Sequence, residues 1–217
     1  KNGNENLPYT DLHISPYATT KAMAEKDVLR ANDGSALRTI ALRPHLVWGE
    51  GDSHLLPRVI KKHLDSRLKI VGNGMNKVDL THIENVTFAH ISAMNALVNG
   101  NDVGGKAYFI SQNEPISLWP WLNQLFSKLD LPPIKRKVSF RKAYLAGHIA
   151  ESVWRILNLK GELPMSRFVA CQLSHDHWFS NFNAERDLGY KPVLSMDEAL
   201  VKTLPWLKAL TFKSTCD

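Results

Sequence analysis

The chain has 217 residues, of which 44% are hydrophobic and 22% charged, proportions typical of a globular protein with a buried core. Its formal net charge is +6, but the basic residues are dispersed, with one short cluster at 135–137 and no nucleic-acid-binding motif, so we expect no nucleic-acid partner. The two cysteines are too few for a disulfide scaffold, and no apolar run is long enough to span a membrane. We therefore expect a cytoplasmic protein.

The first half of the chain alternates between helical and strand patterns. Helices are predicted over 16–31, 55–64 and 85–97, strands over 37–43, 68–72, 78–83 and 106–110, and a glycine-containing loop over 45–52. This alternation predicts an α/β fold with a parallel sheet and crossover helices.

The second half predicts a smaller, helix-rich subdomain. Helices are expected over 118–129, 140–157, 183–188 and 196–210, an edge strand over 134–138 and a further strand over 177–182. The helix over 140–157 has an apolar stripe that we expect to pack into a core, although a basic amphipathic helix also suits a membrane surface. The stripe consists of Phe140, Tyr144, Leu145, Ile149, Val153, Ile156 and Leu157.

Tyr17 and Lys21 stand four residues apart at the start of the first predicted helix, in the stretch SPYATTKAMAEK. Positions i and i+4 share one helix face, so both side chains meet the same surroundings. An ammonium group within about 4–6 Å favours the phenolate and lowers a tyrosine pKa by roughly 1–3 units. Such a pair can exchange a proton with an alcohol or carbonyl oxygen.

Several other polar residues have a structural interpretation. Gly49 and Gly51 suit turn geometry, Asp52 is expected to cap the next helix, and His82 to be a hydrogen-bonded core histidine. His175 and His177 alternate, but no third ligand is evident, so no metal site is predicted.

Three blocks in order, SPYATTKAMAE, LRTIALRPHLVWGEGD and VDLTHIENVTFAHISAMNAL, resemble the extended short-chain dehydrogenases/reductases. RPHLVWGEGDSHLLPRVI and GKAYFISQNEPISLW are most similar to the 3β-hydroxysteroid dehydrogenase-like branch, which includes bacterial 2-alkyl-3-oxoalkanoate reductases. With the following KAYFIS strand, the blocks lie within residues 15–111, a region that is about half of the chain.

The resemblance implies a Rossmann-like fold and a role for individual residues. Tyr17 would be the general acid/base, and Lys21 would tune it and bind the nicotinamide ribose of NAD or NADP. Pro44, His45 and Leu46, in the loop after a strand, would lie beside the cofactor, in agreement with ligand binding at the carboxyl ends of parallel strands.

The resemblance also implies a division of the chain and its partners. Residues 1–115 would be the C-terminal half of the cofactor-binding domain, interrupted by a substrate segment at about 53–81, and residues 116–217 the substrate-binding subdomain. The substrate would be an apolar molecule, either steroid-like or a 2-alkyl-3-oxoalkanoate, and the enzyme would act in lipid metabolism. A homodimer and weak contact with a membrane surface are further expectations.

Two features of the family are missing from the sequence. Neither its glycine-rich phosphate-binding turn nor the active-site serine or threonine before the tyrosine is present, and Gly72-x-Gly74 lacks the required third glycine. We therefore expect the C-terminal part of a longer enzyme, which alone binds dinucleotide poorly and catalyses nothing.

Two other functions remain open at this point. One is a nucleotide-sugar epimerase or dehydratase, which shares the fold and the Tyr-x-x-x-Lys pair but needs polar contacts to a diphosphate. The other is a non-catalytic protein that senses a dinucleotide, for which the intact Tyr17 and Lys21 would be unnecessary.

Overall fold

A computed structural model describes residues 1–9, 16–159, 163 and 165–216. The chain divides into two compact units. The first unit comprises residues 1–55, 79–115 and 178–205, and the second comprises residues 56–78, 116–177 and 206–217. Residues 56–78 of the second unit lie inside the predicted segment at about 53–81, and residues 178–205, predicted in the second part, group with the first unit. The assignment of a cofactor role and a substrate role to the two parts stays a prediction.

Helices and short strands are interspersed up to residue 138, and the last four helices follow one another along the chain. The helices are α1 (Pro16–Arg30), α2 (Leu56–Leu64), α3 (Ile83–Val98), α4 (Leu118–Lys128), α5 (Phe140–Ile156), α6 (Arg167–Gln172), α7 (Phe182–Leu188) and α8 (Met196–Cys216). The strands are β1 (Ile40–Pro44), β2 (Val47–Trp48), β3 (Ile70–Val71), β4 (Lys77–Val78), β5 (Thr81–His82), β6 (Lys106–Ile110), β7 (Ile116–Ser117) and β8 (Lys137–Val138).

Parallel strand pairs organise the first unit, as the sequence predicted. β1 pairs with β6 in the register Ile40 with Lys106 through Pro44 with Ile110, and β2 pairs with β5. The core of this unit packs small residues of α3 against β6 and α7, which lets the helices approach the strands closely. Its buried members are Ala89, Ala93, Ala96, Val103, Tyr108, Ile110, Ala184, Leu188 and Tyr190.

The second unit is richer in helix. β3 pairs in parallel with β8, and β4 pairs antiparallel with β7. α4 buries one apolar face, including Trp119 and Leu125, and the Trp119 indole donates a hydrogen bond to the carbonyl of Leu173 at 3.1 Å. α5 and α6 pack directly on each other.

The expectation that the apolar stripe of α5 packs into a core was wrong. The buried residues of α5 are Ala143 and Gly147, whereas Leu145, Ile149 and Ile156 are 58%, 54% and 79% exposed. A Cβ on Gly147 would lie 2.6 Å from the carbonyl carbon of Ser166. Close backbone contact with the segment leading into α6 therefore selects the small-residue face and turns the large side chains outward.

Two further predictions for the second half need correction. Residues 177–182 form no strand: His177 and Phe179 each make an isolated bridge, and α7 begins at Phe182. The six-residue helix α6 was not predicted, because it is too short to show a helical period in sequence.

Within the described ranges, none of the helices combines the length and apolar character needed to cross a membrane.

Candidate functional site

Tyr17 and Lys21 occupy the same face of α1, as their spacing predicted. The Lys21 ammonium nitrogen lies 6.0 Å from the centroid of the Tyr17 ring. Tyr17 is 72% exposed, and the Lys21 side chain is also exposed. The pair is therefore assembled on α1 and accessible to a ligand.

An open groove of about 360 Å³ lies beside α1; its lining includes Lys21 but not Tyr17. Lys21 and Ala22 line it from the helix, and Arg43 lines it from the end of β1. Phe109 and Phe179 supply an aromatic wall, with ring centroids 4.1 Å apart in a stacked arrangement. Because the side chain of Ala22 is small, it leaves room for a flat ligand against the helix.

Glu25, one turn beyond Lys21, fastens α1 to β1. Its two carboxylate oxygens accept hydrogen bonds from Arg43 Nε at 2.7 Å and Nη2 at 2.6 Å. The Tyr9 hydroxyl donates to Glu25 Oε1 at 2.5 Å. The hydrogen bonds from Arg43 lower the pKa of Glu25, and the hydrogen bond to Glu25 raises the pKa of Tyr9. This ion pair holds the helix bearing Tyr17 in fixed register with the sheet.

Pro44, His45 and Leu46 lie where the parallel strand β1 ends, the edge at which α/β proteins bind ligands. Leu46 has φ +44°, an uncommon value for a residue other than glycine. Backbone strain of this kind clusters at functional sites. His45 and Leu46 form the short bend that connects β1 to β2.

His45 has a partner that the sequence analysis missed. Its Nδ1 is hydrogen-bonded to Oδ1 of Asp79, whose side chain is 1% exposed. The other Asp79 oxygen accepts a hydrogen bond from the backbone N–H of Phe179 at 3.0 Å. A buried carboxylate on Nδ1 fixes the orientation of the imidazole ring. No sequence signal identified Asp79, because 34 residues separate it from His45.

His45 also contacts one of the residues that line the groove beside α1. Its ring meets that of Phe179 edge to face, with 5.1 Å between centroids, and Phe179 lines the groove. The structure therefore brings Lys21 and His45 to the same aromatic wall.

Of the residues given a structural interpretation, His82 is the buried, hydrogen-bonded histidine that was predicted, whereas the hydrogen bonds of Asp52 organise the loop before α2. Asp52 Oδ1 accepts hydrogen bonds from the backbone N–H groups of His54 and Leu55, just before α2. His82 is 2% exposed and caps α3: its Nδ1 accepts from the N–H of Glu84, and its Nε2 lies 3.1 Å from the Thr203 hydroxyl. Burial lowers the pKa of His82.

No cluster of three or more metal-ligating side chains occurs in the described part of the chain. The ring nitrogen Nε2 of His177 donates a hydrogen bond to the carbonyl oxygen of Gln172 at 2.8 Å, and Nδ1 of His175 lies 2.9 Å from the Ser174 hydroxyl. Both histidines are thus held by local hydrogen bonds.

The architecture matches a known fold. It is similar, at a TM-score of 0.65, to the crystal structure of UDP-glucuronic acid 4-epimerase from Bacillus cereus in complex with NAD. That similarity covers 97% of this chain and 58% of the epimerase at 19% identity. Together with the parallel strand pairs, it defines an α/β, Rossmann-like fold.

The family follows from the sequence comparisons. The model of the 3-beta hydroxysteroid dehydrogenase/isomerase family matches residues 1–140, and the chain belongs to that family. It is 46% identical to a 2-alkyl-3-oxoalkanoate reductase from Stenotrophomonas maltophilia, covering 91% of this chain and 60% of the reductase. It is 33% identical to the mouse sterol-4-alpha-carboxylate 3-dehydrogenase, decarboxylating, covering 94% of this chain and 58% of that enzyme. The chain thus spans about three fifths of the length of these two relatives.

Proposed function

We propose that the whole protein is an NAD(P)-dependent oxidoreductase that interconverts a hydroxyl and a keto group on an apolar substrate. The observation that carries this proposal is the accessible Tyr17–Lys21 pair, with the ammonium 6.0 Å from the phenol ring. Membership of the 3-beta hydroxysteroid dehydrogenase/isomerase family supports it.

In this proposal Tyr17 moves the proton. Its hydroxyl donates a proton to the substrate's carbonyl oxygen during reduction and takes the proton of the alcohol during oxidation. The Lys21 ammonium stabilises negative charge on the phenol oxygen. The Glu25–Arg43 ion pair keeps α1, and with it Tyr17, in a constant position relative to β1.

The residues at the end of β1 fit the nicotinamide end of a dinucleotide. Within the described residues Lys21 forms no ion pair with a carboxylate, so its three N–H donors can serve ribose hydroxyls. Pro44, His45 and Leu46 would flank the ring. A bound nicotinamide dinucleotide supplies or accepts the hydride.

The substrate class is inferred from the relatives and the groove. The names of the relatives specify a 2-alkyl-3-oxoalkanoate and a sterol carboxylate, which are largely apolar molecules. The stacked Phe109 and Phe179 side chains give the groove an apolar wall suited to such substrates. The likeness to the epimerase, at 19% identity, supports the fold alone.

The test is a cofactor and substrate screen on the whole protein. NADPH and NADH oxidation is followed at equal protein concentration with a 2-alkyl-3-oxoalkanoate, a 3-ketosteroid and a UDP-sugar. We expect oxidation of a reduced cofactor with one of the two apolar ketones and none with the sugar nucleotide. Conversion of the UDP-sugar alone would overturn the proposal.

We further propose weak contact of α5 with an anionic membrane surface. Leu145, Ile149 and Ile156 project within about 40° of one another on the helix, and Arg141 and Arg155 flank them. Apolar side chains flanked by cations match an anionic lipid interface. Co-sedimentation with phosphatidylglycerol vesicles at low salt should fall in the L145Q/I149Q/I156Q variant, and absence of sedimentation by the unsubstituted protein would remove the proposal.

A further inference from the structure

The second compact unit contains a cavity of about 560 Å³, and its lining includes neither Tyr17 nor Lys21 nor a residue at the end of β1. Its size falls within the range of about 300–1,000 Å³ that is common for small-molecule sites. Every residue lining it belongs to this unit, so the cavity is a property of the unit itself.

The inner wall of the cavity is apolar. Val71 and Val138 are register partners across the β3–β8 pair, and both line it. Ala143 of α5 and Val169 of α6 close the side formed by the two packed helices. Leu173, just past α6, continues this surface. Such a wall can shield the methylene groups of a bound ligand from water, but it has no favourable interaction with a small inorganic anion.

The rim of the cavity has the opposite character. Six cationic side chains and one carboxylate, that of Asp65, line it. The cations are Arg58, Lys61, Lys62, Arg67, Lys69 and Lys142. Among the described residues, Lys61, Lys62, Lys69 and Lys142 form no ion pair with a carboxylate. The rim therefore presents positive charge that the protein does not itself neutralise.

An apolar wall below an unneutralised cationic rim matches one chemical class of ligand. We propose that this cavity binds a single-chain anionic amphiphile, with the acyl chain against the Val71–Val138 wall and the carboxylate or phosphate at Lys62 and Lys142. A neutral apolar ligand would leave the cations unused, and a short anion would leave the wall unused. The inference goes beyond the proposed reaction, because it requires neither Tyr17 nor a cofactor.

A series of fatty-acid anions tests whether the apolar wall contributes to binding. The binding of hexanoate, octanoate and decanoate to the whole protein is measured by calorimetry, below their micellar concentrations and without cofactor. Each buried methylene should strengthen binding roughly fourfold. Acetate and inorganic phosphate should bind far more weakly than decanoate. Equal affinity for acetate and decanoate would mean a basic surface patch and would overturn the proposal.

Uncharged 1-decanol and decyl phosphate test the rim. Decyl phosphate should bind like decanoate or more tightly, and 1-decanol at least about tenfold more weakly, with the difference shrinking at high salt. Equal affinity for 1-decanol and decanoate would overturn the role of the cations. Binding to phosphatidylglycerol vesicles without binding of monomeric decanoate would place the ligand at a membrane surface and also overturn the proposal.

Two matched variants locate the site. The K62Q/K142Q variant should bind decanoate at least about tenfold more weakly, whereas K128Q/K135Q, with the same charge change on exposed lysines of this unit outside the cavity lining, should not. Ala146→Trp places a large side chain at the exposed mouth and should weaken every chain length. Unchanged binding in both K62Q/K142Q and Ala146→Trp would overturn the assignment of the ligand to this cavity. If a variant fails to fold, the chain-length series on the unsubstituted protein still tests the proposal.

Discussion

Glu25 on α1 and Arg43 on β1 form a two-pronged ion pair, with Nε–Oε2 and Nη2–Oε1 distances of 2.7 and 2.6 Å. Both side chains are largely buried, 13% and 20% exposed, so solvent screens the pair less than a surface ion pair. It ties the helix that carries Tyr17 and Lys21 to the strand that leads into Pro44 and His45. The pair thus connects the two parts of the candidate site.

Replacing Glu25 by Gln should lower the free energy of unfolding by about 2 kcal/mol, because it leaves the half-buried Arg43 guanidinium without its carboxylate. Urea denaturation measures this. The pKa of Glu25 is lower in the folded chain than its ordinary value of 4.5, so the stability it contributes at neutral pH is lost as the pH falls below about 4.5. In the Glu25→Gln variant, the free energy of unfolding should no longer show this decrease at acidic pH.

Asp27→Asn is the matched control on the same helix. Asp27 is 74% exposed and lies 3.9 Å from Arg30. Its replacement should change stability by at most about 0.5 kcal/mol. An equal loss in both variants would show that the Glu25–Arg43 pair is no more important than a surface pair.

His82 should make stability pH-dependent in a different range. Burial lowers its pKa below the ordinary 6.5, so the unfolded chain binds the proton first and stability falls as the pH drops below about 6.5. Thermal unfolding between about pH 7 and pH 5 should show this decline, and His82→Gln should flatten it. His90→Gln, at an exposed position of α3, should keep the decline. An unchanged pH profile in His82→Gln would refute this role.

Gly147→Ala should destabilise the protein even though alanine favours helix by about 1 kcal/mol over glycine. The new methyl group would lie 2.6 Å from the Ser166 carbonyl carbon and 2.7 Å from the Arg167 nitrogen, and backbone atoms cannot move aside cheaply. We expect a net loss of about 1–3 kcal/mol in urea denaturation. His148→Ala, the next and exposed position of α5, should have little effect. A gain in stability for Gly147→Ala would show that the α5–α6 contact is loose.

The elements with a strong local signal could be predicted from the sequence. The helix with Pro at its first turn was expected over 16–31 and runs over Pro16–Arg30, and the strand Lys106–Ile110 has the predicted ends. Local rules sufficed there because Pro favours the first helical turn and the buried strand is bounded by turn residues.

Apart from the missed short helix α6, the main errors concern interactions between distant residues. The apolar stripe of α5 predicted burial of its large side chains. The face that packs is instead set by the close backbone contact between Gly147 and the segment leading into α6. The His45–Asp79 contact joins the end of β1 to the segment before β5 and has no motif of its own. A pattern along one segment cannot reveal what another segment brings to it.

The most direct measurement of the central claim is the turnover of Tyr17→Phe in the whole protein, with Tyr144→Phe as the matched control. Loss of the Tyr17 hydroxyl removes the proton donor, so kcat should fall by about 10²–10⁴-fold with KM little changed. Tyr144 is on α5 in the second unit, and its replacement should leave kcat unaltered. A Tyr17→Phe variant that turns over like the unsubstituted protein would contradict the assignment of Tyr17 as the acid/base.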